Sequence, residues 1–107
     1  MKNFLRIPKK LEEKIVSSLR LIKRALEIET KENSIMLKTY LRYSQGLASE
    51  EEMLKANKQF QTLLKTLGLG ALALLPFAPV TIPAMVQLAK KFDIDLIPQS
   101  FKDNSPE

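Results

Sequence analysis

The chain has 107 residues, with 17 Lys/Arg against 12 Asp/Glu and a formal net charge of +5. That is the length of one domain, able to bury a modest core. With no Cys and no His, disulfides, thiol nucleophiles, imidazole acid–base chemistry and Cys- or His-ligated metals are excluded. A non-enzymatic protein with no cofactor and no metal is therefore the expectation.

The charge is unevenly placed. Residues 1–44 hold 11 Lys/Arg against 5 Glu, residues 45–65 hold three of each sign, and the remainder is slightly acidic. The opening "MKNFLRIPKK" has an apolar cluster too short for a secretory leader, and Glu12 and Glu13 argue against a mitochondrial presequence. After Pro8, a helix-start residue, Leu11, Ile15, Leu19, Ile22 and Leu26 recur at helical spacing. They predict an amphipathic helix from about Lys9 to Thr30, broadened by Val16 and Leu21. Its other faces carry Lys9, Lys10, Lys14, Arg20, Lys23 and Arg24, candidates for contact with an anionic surface. Nucleic acid is the weaker reading of that face, because Glu12, Glu13, Glu27 and Glu29 are interspersed and no recognition motif appears.

"TKENS" (residues 30–34) breaks or bends the pattern. A second helix then holds Ile35, Met36, Leu37, Tyr40, Leu41 and Tyr43, and Gly46 supplies its stop. "SEEE" has the spacing of a capping box, Ser49 with Glu52, so a third helix starts at Glu50. It runs through Met53, Leu54, Phe60, Leu63, Leu64 and Leu67 and is expected to continue into the apolar residues beyond.

Residues 66–89, "TLGLGALALLPFAPVTIPAMVQLA", carry no formal charge. The mean hydropathy over 19 residues is about 1.8, high enough for a span, and 24 helical residues would reach roughly 36 Å. Pro76, Pro79 and Pro83 interrupt that reach. Three forms stay open: a span, a hairpin re-entering the membrane, and a buried soluble core. Thr81 is placed to cap a new helix with Pro83 in its first turn, running through Phe92. "FDIDLIPQSF" reads as an extended segment lying on the helices, and Lys102 onward as a disordered tail. Asp93 and Asp95 are a weak candidate for a cation site, since two carboxylates make only part of a shell.

The stretch "LLPFAPVTIPAMVQLAKKFDIDLIPQSF" resembles the membrane segment and following motif of the leucine-zipper/EF-hand-containing transmembrane (Letm-type) family. The matching positions are Pro76, Phe77, Pro79, Pro83, Leu88, Lys90, Ile97, Pro98, Ser100 and Phe101, and the preceding "SEEEMLKANKQFQTLLKTLG" is similar to the family's amphipathic lead-in helix. The resemblance covers about residues 49–101. It implies membrane residence, a part in ion or proton homeostasis, and association with the mitochondrial ribosome. No EF-hand loop occurs in this chain.

The expected architecture is all-α: a small bundle of amphipathic helices, a proline-broken apolar hairpin or span, and an extended C-terminal motif. Residues 1–48 form a basic helical region, 49–101 the Letm-like part, and 102–107 a tail. The expected function is that of a small Letm-like membrane-associated protein, linked to ion homeostasis or to docking a partner. A membrane is the first partner, followed by a second copy of the chain and a ribosome or other protein. With 14 Lys/Arg before the apolar stretch and 3 after it, the N-terminal half is expected on the cytoplasmic side. The alternative is a soluble helical adaptor, or a nucleic-acid- or ribosome-associated module, whose apolar hairpin is its core.

Overall fold

The computed structural model describes residues 8–69 and 81–103. They form five helices: α1 (Lys9–Leu26), α2 (Lys31–Ser44), α3 (Glu50–Thr66), α4 (Ile82–Lys91) and α5 (Gln99–Asp103). The protein is all-α, with no strand among the described residues.

Local chemistry sets most of the boundaries. Ser49 Oγ accepts from the Glu52 N–H at 3.0 Å, and the Glu52 carboxylate accepts from the Ser49 N–H at 2.8 Å, closing the capping box that starts α3. At the head of α4 the Thr81 hydroxyl accepts from the Ala84 N–H at 3.2 Å. Pro83, whose ring removes one N–H, sits in that first turn, where no intrahelical bond is lost. Three helices end in the same way. A residue in the left-handed region follows the helix, Gly46 (φ 77°), Gly68 (φ 77°) or Asp93 (φ 59°). The next N–H then reaches five residues back: Leu47 to the Arg42 carbonyl, Leu69 to Leu64 and Ile94 to Ala89, at 2.7, 2.7 and 2.9 Å. These are Schellman motifs.

The Schellman turn at Gly68 corrects one expectation. The third helix does not run on into the apolar residues, and 66–89 do not form a single straight span. Among the described residues no helix is long and apolar enough to cross a membrane. The Ile82 N–H donates to Asn57 Oδ1 at 2.9 Å, which brings the start of α4 back to the middle of α3. From Asn57 to Thr66 is roughly 14 Å along the helix axis, so Ile82 lies about that far back from the end of α3. The proline break expected at Pro76 to Pro79, and Phe77 with it, lies outside the described residues.

One core joins the helices. It contains Leu19, Ile22 and Leu26 of α1, Met36 and Leu37 of α2, Met53, Ala56, Phe60 and Leu64 of α3, and Ile82, Met85, Val86 and Ala89 of α4. Ile94, Leu96 and Ile97, in the irregular chain after α4, complete it. Four apolar positions fall elsewhere than expected. Leu11, Leu21, Ile35 and Leu54 are exposed, at 49%, 37%, 58% and 65%: Leu21, Ile35 and Leu54 lie off the arc that their helices turn inward, and Leu11 lies in the first turn of α1, where every residue is exposed. The chain end also differs: Lys102 and Asp103, expected in the tail, belong to the backbone of α5.

Asn33 explains why α1 stops before Thr30. It is 8% exposed, and its Nδ2 donates to the carbonyls of Ala25 and Ile28, each at 2.9 Å. Its own N–H donates to Thr30 Oγ1 at 3.1 Å. One side chain thus satisfies carbonyls at the end of α1 while Thr30 caps α2, and the pair fixes the turn between them.

Candidate anionic-surface site

At about 100° per residue, Lys9, Lys10, Lys14, Arg20 and Arg24 fall within an arc of roughly 140° on α1. Leu19, Ile22 and Leu26 occupy the opposite side and are buried. All five basic residues are exposed, and none forms a salt bridge among the described residues. Glu13 lies inside the same arc and lowers its charge. Leu21, 37% exposed, projects between the directions of Lys10 and Lys14. Cations flanking an exposed leucine suit a surface with anionic headgroups over hydrocarbon.

Lys23 stands apart from the other five. It lies at the edge of the arc, half-buried, and its Nζ donates to the backbone carbonyl of Asp95 at 2.9 Å. It also pairs with Glu27 at 3.5 Å. This lysine ties α1 to the chain after α4.

Of the residues that carry the Letm resemblance, those described run from the head of α4 into α5. Pro83 opens α4, Leu88 packs against the core, and Lys90 is exposed in the last turn. Ile97 and Pro98 are buried, Ser100 is exposed and Phe101 packs against the core. Pro98, Ser100 and Phe101 come together along one side of a groove of about 480 Å³ beside α2. Sequence reasoning did not anticipate that groove, since its other wall is the α1–α2 turn.

Asp93 and Asp95 each have a place in the chain that follows α4. Asp93 is the left-handed residue ending α4, and Asp95 Oδ1 accepts from the Ile97 N–H at 3.2 Å, shaping the chain behind it. Among the described residues, no three His, Cys, Asp or Glu side chains gather closely enough to hold a metal ion. Tyr40 and Tyr43 lie against the core, and burial raises the pKa of the Tyr40 phenol. Neither ring stands free as a platform for bases.

No protein-family model, curated protein or solved structure matches this chain. The class defined by fold and surface is a small all-α bundle with a basic outer helix. The Letm resemblance rests on the residues quoted for it.

Proposed function

We propose that this chain is a non-enzymatic, Letm-like docking module that lies on the anionic surface of a membrane through the exposed face of α1. The observation that carries the reading is the arc of Lys9, Lys10, Lys14, Arg20 and Arg24, free of salt bridges among the described residues and interleaved with Leu21. Each cation near such a surface contributes about 1 kcal/mol at low salt. Docking is favoured over transport, because residues 66–89 contain no carboxylate to carry an ion.

Two features support the finer architecture, a proline-broken apolar turn between α3 and α4. α3 stops at Gly68, and Ile82 returns to Asn57. Both ends of residues 70–80 are therefore held by one bundle, which suits a turn better than a span. A module attached from one side needs no crossing, and the cytoplasmic leaflet is the more anionic one. Ion homeostasis and ribosome docking, which the Letm resemblance implies, would then be tasks of the partner recruited to the membrane.

A second reading, a soluble adaptor or nucleic-acid-associated module, is favoured by the burial of Ile82, Met85, Val86 and Ala89 in the core. Co-sedimentation with vesicles separates the two. The membrane reading expects binding to vesicles containing phosphatidylserine, loss of that binding at high salt, and a large drop for Lys10→Glu/Lys14→Glu. No binding to anionic vesicles, together with salt-sensitive retention of RNA, would replace it with the second reading.

A further inference from the structure

We propose that Ser17, on the outer face of α1, is a phosphorylation site for a serine kinase that selects basic substrates, and that the phosphate releases this helix from an anionic surface. The inference rests on the membrane reading of α1 and adds its regulation. At about 100° per residue, Ser17 falls near the middle of the basic arc, between the directions of Arg24 and Lys10. Its side chain is exposed. Ser18, the next residue, lies about 100° further round, outside the arc, and is half-buried.

Most other hydroxyls of the bundle are already engaged. Those of Thr39, Ser44, Thr62 and Thr66 donate to carbonyls in the turn before them, and those of Thr30, Ser49 and Thr81 cap helices. Ser17 has no hydrogen bond from its hydroxyl among the described residues. Lys14 stands three residues before it and Arg20 three after, so a cation flanks the hydroxyl on either side and suits an acidic substrate cleft. A kinase takes its substrate as an extended strand, so the helix around Ser17 has to open. That opening is local. From Lys9 to Ser18 no residue is buried, and Leu19 is the first of α1 to enter the core.

In the transfer, Ser17 Oγ bonds to the γ-phosphorus of a nucleoside triphosphate as the bond to the bridging oxygen breaks. The hydroxyl proton passes to the carboxylate base of the kinase, and the nucleoside diphosphate leaves. Five cations and the one carboxylate of Glu13 give the arc a charge of +4. A phosphoserine carries close to −2 at neutral pH and cancels about half of it. Its oxygens also reach Lys14 and Arg20 along the helix, which takes two cations away from the lipid. Two charges lost beside an anionic surface weaken binding by at least about tenfold at low salt.

Two measurements on the full chain test this. In the first, the chain is incubated with ATP and the catalytic subunit of a serine kinase that selects basic substrates, and mass spectrometry locates the phosphate. Phosphate at Ser17 is expected, kept in Ser18→Ala and lost in Ser17→Ala; a chain that takes up none at Ser17 overturns the proposal. In the second, chains synthesised with serine or phosphoserine at position 17 are co-sedimented with vesicles containing phosphatidylserine. The expected result is binding at least about tenfold weaker for the phosphorylated chain, with an unchanged helix signal in circular dichroism. Weaker binding with loss of helix overturns the proposal, because the fold and not the charge was then changed. Equal binding by the two chains overturns the switch and leaves the membrane reading standing. No binding by either overturns the membrane reading, and the switch with it.

Discussion

α1 buries Leu19, Ile22, Ala25 and Leu26 and leaves five Lys/Arg side chains in solvent, whereas α4 buries Ile82, Met85, Val86 and Ala89 and exposes only Gln87, Lys90 and Lys91. Both are amphipathic, and both turn one face to the same core. They look unlike in sequence because a hydropathy window averages over all faces of a helix. In α1 the charged outer face hides the apolar stripe from such an average. In α4 the outer face is short and merges with the uncharged residues before it. An apolar run therefore identifies surface that must be covered without saying whether lipid or protein covers it.

The comparison breaks most sharply if a charge is placed on each helix. Val86→Asp puts a carboxylate where the side chain is 5% exposed and should cost at least about 3 kcal/mol in urea unfolding. Arg20→Asp on α1 should change stability by no more than about 0.5 kcal/mol while reducing retention on anionic vesicles. Equal stability losses in the two variants would mean that α1's outer face is packed, and the contrast would be lost.

Helix ends sharpen the contrast at a smaller scale. Gly68→Ala meets no atom within 4 Å of the added Cβ, so its cost is backbone strain alone, about 1 kcal/mol. At Asp93, which holds the same left-handed conformation with a side chain, substitution by Gly should stabilise by about 0.5 kcal/mol. Thermal unfolding of the two variants should move the midpoint in opposite directions.

The smallest effect concerns acid. The Ser49 backbone N–H, then the Arg42 guanidinium, hold the Glu52 pKa below its ordinary value. A depressed folded-state pKa gives stability that is present above the unfolded value and lost as pH falls through the folded one. A slight decline in stability is expected across the acid range, and Glu52→Gln should flatten it. An unchanged slope in that variant would assign the decline to other carboxylates.

The helical order of the chain was legible because its signals are local. Ser49 with Glu52, Thr81 with Pro83, and Gly46 each act within a few residues, and each forms the cap expected of it. The inner stripe of α1 was legible by spacing, apart from Leu11 and Leu21. The end of α1 was not, because Asn33 reaches back to Ala25 and Ile28 from the next helix. Among the candidate surface residues, sequence alone ranked Lys23 with its neighbours. Only the fold shows its Nζ held by a carbonyl 72 residues further on.

The fate of the apolar residues was a different kind of question. By itself the sequence determined that this protein is helical, that it has no thiol or imidazole chemistry, and that α1 has one apolar and one basic face. Composition, capping and periodicity suffice for these, since each depends on residues within a turn or two of one another. Tertiary structure alone decided that Ile82 returns to Asn57 and that Ile82, Met85, Val86 and Ala89 face protein. The reason is physical: burial of apolar surface is non-directional, and only contacts between distant segments select what does the burying.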